Sequence, residues 1–198
     1  MGGAMCREVF EMVCQMNMKD VETRMALQCA PVIEGIKISN LLIVPAENGR
    51  AVWMILRNSG ISCFRLLEGK STVTFLLFRR QQLEAFLNQE RAQAILHSQG
   101  YREKGLGVIL RRFGERYQAY MEHGGSFPHE MGLLLGYPVE DVQGFMEHGG
   151  QKFLYSGYWK VYENVPEKKK TFQAFEEARE RIVQKLWSGC RIGELIFT

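Results

Sequence analysis

The sequence predicts an α+β protein, mostly helical, with a small mixed sheet that includes a β-hairpin at about residues 61–78. Three observations carry that expectation. Apolar residues recur at helical spacing along most of the chain. Two neighbouring runs rich in β-branched and aromatic residues flank the link Glu68-Gly69-Lys70, and glycine pairs punctuate the second half. The composition agrees with a globular chain: 198 residues, 46% hydrophobic, 24% charged, 20 Gly and 5 Pro. That length fits a single domain, read as an α/β half (about residues 1–100) and a helical half (about 101–198) sharing one core.

Taken in order, residues 6–18 place Val9, Phe10, Val13, Cys14 and Met16 at a helical period, and residues 21–34 continue it with Met25, Leu27 and Ile33. Pro31 is expected to kink or interrupt that second helix, because it lacks an N–H and its ring collides with the preceding turn. Residues 41–45 are a short apolar run ended by Pro45, which predicts a strand feeding a helix over 51–58. The runs 61–67 and 71–78 form the hairpin. Residues 79–97 carry helix formers, predicted as two short helices broken near Asn88.

Three further helices are predicted over 108–122, 128–135 and 138–147, ended by Gly124-Gly125, Gly136 and Gly149-Gly150. The pentapeptide Met-Glu-His-Gly-Gly occurs at both 121–125 and 146–150. It reads as two helices terminated alike, with a histidine complementing the dipole and a glycine taking the left-handed cap. Residues 153–163 are aromatic, a strand or an extended arm. As a strand they would put Phe153, Tyr155 and Trp159 on one face and Tyr158, Lys160 and Tyr162 on the other. Residues 168–187 read as a long amphipathic helix with Phe172, Phe175, Ala178, Ile182 and Leu186 inward, and 195–197 as an apolar end that docks.

The net charge of +3 is too small to imply a polyanionic partner. The five cysteines are odd in number, widely separated and without a CxxC, so they read as reduced core thiols. No segment approaches the roughly 18 apolar residues of a membrane span, and no basic region precedes an apolar run at the N-terminus. A cytoplasmic protein is expected. The glycines fit neither a phosphate loop nor a dinucleotide fingerprint, and no nucleophile elbow is present. The methionine cluster Met5, Met12, Met16, Met18 and Met25 reads as core filling.

One stretch is more distinctive than the rest. FPHEMGLLLGYPVEDVQGF at 127–145 and SGYWKVY at 156–162, with CAP at 29–31 and GIKISNL at 35–41, resemble a family of small bacterial proteins catalogued only as a domain of unknown function. The resemblance runs over roughly residues 20–190. That family carries no established activity, catalytic set or cofactor to transfer, but its blocks point to Lys37, Asn40, His129, Glu130, Tyr158, Trp159 and Lys160 as candidate ligand-binding residues.

Three functional readings follow from the residues. The leading one is a non-catalytic binding module for a small molecule or a protein. Its working surface would include His129, Glu130 and the Tyr158–Lys160 arm, with Lys37 and Asn40 either capping a turn or lining a pocket beside that arm. The alternative is a zinc or iron site built from His123, His129, Glu130 and His148, which share a stretch free of Lys and Arg between Arg116 and Lys152. The third is a helix-turn-helix, since Gly132, Gly136 and Val142 have its spacing. Its recognition helix would carry Glu140, Asp141 and Glu147 with no cation, so nucleic acid is not expected as a partner.

Overall fold

The computed structural model describes residues 5–102 and 105–196. The chain divides into two compact units, one formed by Met1–Arg79 with Lys169–Thr198 and the other by Arg80–Lys168.

The first unit begins with α1 (Arg7–Gln15) and α2 (Val21–Ile33). Asp20 caps α2, its carboxylate accepting from the Thr23 amide at 2.8 Å. Pro31 does not interrupt this helix: it sits in the last turn, and its carbonyl accepts from the amides of Ile36 and Lys37 as the chain turns away. Arg79 closes the same end, donating to the carbonyls of Val32 and Ile33 at 3.0–3.2 Å, where a cation also complements the helix dipole. Strand β1 (Ser39–Pro45) then leads into α3 (Gly49–Leu56), β2 (Ser62–Glu68) and β3 (Thr72–Phe78).

The sheet order is β1-β3-β2, and both pairings are antiparallel where a mixed sheet was expected. The hairpin β2–β3 is as predicted, and β1 pairs with its second strand in a register that sets Leu42 opposite Phe75 and Val44 opposite Val73. As the central strand β3 is buried from Val73 to Phe78, which explains why Thr74 is its only polar residue there.

In the second unit α4 (Arg80–Leu87) and α5 (Glu90–Ser98) are separated near Asn88, as the sequence implies. They precede α6 (Leu106–His123), the single turn α7 (Met131–Leu134) and α8 (Val139–Glu147). Both copies of the repeated pentapeptide end a helix, and Gly124, Gly125, Gly149 and Gly150 all have positive φ. Residues 153–163 form neither a single strand nor an arm. Two-residue strands β4 (Tyr155–Ser156) and β5 (Lys160–Val161) pair with each other, and the Gly157 amide donates to the Trp159 carbonyl inside the turn. The alternation of faces expected for one long strand is therefore broken at Gly157.

Helix α9 (Val165–Trp187) and the short α10 (Ile192–Leu195) complete the chain. Ile182, Val183 and Ile192 join Met25, Val32, Leu42, Val52 and Phe75 in the core of the first unit. Buried Glu22 secures the start of α10, accepting from the Ile192 amide and pairing with Arg191, each at 2.7 Å. Ile196 is buried, whereas Phe197, expected to dock with it, lies outside the described residues. Of the cysteines only Cys29 is fully buried; Cys6 and Cys14 are exposed because they lie on the outer side of α1 and its start, which corrects the view of all five as core thiols. Among the described residues no helix is long and apolar enough to cross a membrane.

Candidate functional site

The second unit contains a cavity of about 290 Å³, lined by Phe127, His129, Tyr137, Phe145, Trp159 and Lys160 with shorter apolar side chains from α7 and α8. Its walls are three pieces of chain: the loop 124–130, the α7–α8 pair and the β4–β5 hairpin.

Three glycines let these pieces approach. A Cβ on Gly132 would lie 2.8 Å from a Val142 methyl, on Gly144 2.5 Å from the Tyr162 ring, and on Gly150 2.9 Å from the Phe145 ring. All three distances are too short for a real Cβ, so glycine is required by packing at Gly132 and Gly144, and by both packing and positive φ at Gly150.

Asp141 fastens the hairpin. It is buried in the first turn of α8, and one oxygen accepts from Trp159 Nε1 at 2.7 Å while the other accepts from the amides of Tyr162 (2.7 Å) and Glu163 (3.3 Å). A carboxylate there is favoured by the helix dipole and by three donors at once. Trp159 is thereby held against Tyr137, the rings stacked at 4.9 Å.

The opposite wall is a chain of ring contacts from Tyr120 to Phe127, Phe127 to His129 and His129 to Phe145, with centroids 5.4–6.0 Å apart. Lys160 lies at the rim. Its ammonium donates to the Gly150 carbonyl at 2.5 Å and stands over the rings of Phe153 and Phe145, at 4.9 and 5.6 Å from their centroids. The second copy of the repeated pentapeptide thus has a task the first lacks: Gly150 packs beneath Phe145 and anchors Lys160. Among the described residues no protein group hydrogen-bonds His129 Nδ1, although that atom is buried.

Of the residues expected to act together, His129, Trp159 and Lys160 do line one cavity. Glu130 does not. It is fully buried, and its Oε1 accepts from Tyr101 Oη and from Arg116 Nε, each at 2.9 Å. Adjacent residues at the start of a helix diverge by about 100°, so His129 and Glu130 serve different surroundings. Tyr158 is absent from the lining, since the hairpin turn sends it elsewhere. Lys37 and Asn40 also stand outside it, in the first unit, where Lys37 Nζ donates to Asn40 Oδ1 at 2.7 Å and Asn40 in turn donates to the Gln28 carbonyl. Burial pulls the Lys37 ammonium down from its ordinary 10.5 to about 8.

The metal reading is corrected by the placement of its donors. His123 is exposed at the end of α6, with Nδ1 3.3 Å from the Ala119 carbonyl, and His148 tilts against the Tyr162 ring. His129 sits among phenyl rings and Glu130 is committed to Tyr101 and Arg116. Among the described residues no group of three or more His, Cys, Asp or Glu side chains could hold a metal ion. Nor does the 131–147 segment build a long helix pair: α7 is a single turn, and Glu140 of α8 is paired with buried Lys168 at 2.7 Å. Sequence reasoning missed Phe127, Tyr137, Asp141 and Phe145. All four lie in the 127–145 block, whose alternation of glycines and aromatics is the signal that could have found them.

The fold and the site define an α+β protein whose second unit carries an aromatic-walled cavity of small-molecule size. A family model described as "Protein of unknown function (DUF3793)" matches residues 25–196, and the chain belongs to that family. No curated protein and no solved structure matches it.

Proposed function

We propose that the second unit is a binding module for a small, planar, mainly apolar molecule of one or two rings. The observation that carries this reading is the lining of the cavity, the rings of Phe127, Tyr137, Phe145 and Trp159 with His129, Asp141 and Lys160 as its few polar members. The volume, about 290 Å³, is at the small end of ligand pockets and suits one or two fused rings. The walls are held in place by Asp141 and three glycines, so little ordering is left to oppose binding.

The test is a ligand-observed NMR screen of one- and two-ring heteroaromatics, such as indole, quinoline and hydroxybenzoates, on the full chain. Saturable hits are expected, with affinity lowered about tenfold in His129→Ala and again in Phe145→Ala. A screen without saturable hits, or hits that bind both variants as well as the parent, overturns the reading.

A further inference from the structure

A second concavity in the same unit, about 510 Å³, shares no lining residue with the aromatic cavity. It lies between Tyr101-Arg102 and one face of α6, from which Arg111, Arg112, Glu115 and Arg116 project. We infer that this concavity binds a small phosphate anion carrying two linked phosphates, as the free diphosphate ion or as the diphosphate group of a small molecule.

Positive charge exceeds negative there, four arginines against Glu115 in the lining and Glu130 behind it. Arg116 is neutralised by the buried Glu130, but among the described residues no carboxylate pairs with Arg102, Arg111 or Arg112. Among the described residues Glu115 is the one acidic side chain in the lining. Guanidinium groups that line one concavity repel one another, and an anion between them relieves that repulsion.

The site is also partly pre-built. Tyr101 is buried, with its hydroxyl on Glu130, and its ring carries the guanidinium of Arg112 at 5.3 Å and that of Arg116 at 5.9 Å. Arg116 is further fixed by donating to the Gln99 carbonyl at 2.7 Å. Tyr101 and Glu130 therefore act as positioning residues for the cationic wall. A guanidinium matches two phosphate oxygens at once, whereas a lone carboxylate ligand would leave most of the charge unmet. A diphosphate offers two linked anionic groups to three arginines that no described carboxylate pairs.

The experiment is calorimetric titration of the full chain with inorganic pyrophosphate at constant ionic strength, with orthophosphate and sulfate in parallel. Saturable binding of one pyrophosphate per chain is expected, at least about tenfold tighter than sulfate. Arg111→Gln with Arg112→Gln, both exposed positions, should weaken it more than about tenfold without changing the thermal midpoint. His129→Ala should leave it unchanged, which separates this site from the aromatic cavity. Absence of saturable binding, equal binding in the double variant, or sulfate equal to pyrophosphate overturns the inference. So does an RNA oligonucleotide that binds the same arginines more tightly than pyrophosphate.

Discussion

The two units bury different things. In the first, helices and a three-stranded sheet close over a continuous apolar cluster centred on Met25, Leu42 and Phe75, and its buried charges, Glu22 and Lys37, sit at helix ends and turns. In the second, a buried apolar set that includes Leu83, Leu96, Phe113 and Leu133 is joined by two buried carboxylates, Glu130 and Asp141, that gather donors from separate pieces of chain. Apolar packing gives a filled interior. Anchoring short segments by a few polar contacts leaves room between them, and the aromatic cavity lies beside the hairpin that Asp141 holds.

The sharpest way to break this contrast is to remove one member of each kind. Phe75→Ala deletes a fully buried ring from the centre of the sheet and should cost the first unit about 4 kcal/mol, read from urea unfolding. Glu130→Ala strands Tyr101 and Arg116 and should cost about 3 kcal/mol, less than a fully buried ion pair would because Arg116 keeps some water. If Glu130→Ala were neutral, the buried carboxylate would add nothing to the apolar packing of the second unit.

Asp141→Asn keeps the shape but discards the charge and sets an amide against donors. A loss of about 2 kcal/mol is expected, with Trp159 emission shifted as its indole N–H loses its partner. The readout is fluorescence in a background where Trp53 and Trp187 are replaced by Phe.

The smallest effect belongs to Lys37. Burial lowers its folded value from 10.5 to about 8, so the ammonium opposes folding fully below that value. As pH rises through it, the folded state releases its proton before the unfolded state does, and stability increases until the ordinary value is reached. Relative to Lys37→Met, the wild type should gain about 1 kcal/mol between about pH 7 and pH 9. Burial raises the Cys29 and Cys63 thiols to about 12, and although Lys37 itself lowers the Cys29 value somewhat, both folded thiols keep their protons through pH 9 with or without it, so they leave the difference unchanged. A flat difference across that range would place the ammonium in water.

Local signals along the chain already carried the α+β class, the hairpin β2–β3, the break near Asn88, the long last helix and the glycine-ended helices, because period and turn chemistry act over a few residues. The 127–145 block supplies most of the residues that line the aromatic cavity. Only the tertiary structure decided the rest. β1 joins the hairpin along its second strand, a pairing set by contacts far apart in sequence. β4 and β5 have two residues each, too few to display any period. His129 and Glu130 are neighbours in the chain, yet one faces an aromatic cavity and the other a buried ion pair. Asp141 looked like one more acid on a solvated helix, and became the anchor of the site only when the hairpin brought an indole and two amides to it. Which donors reach a carboxylate depends on where distant segments come to rest, and that is settled by packing in three dimensions rather than by spacing along the chain.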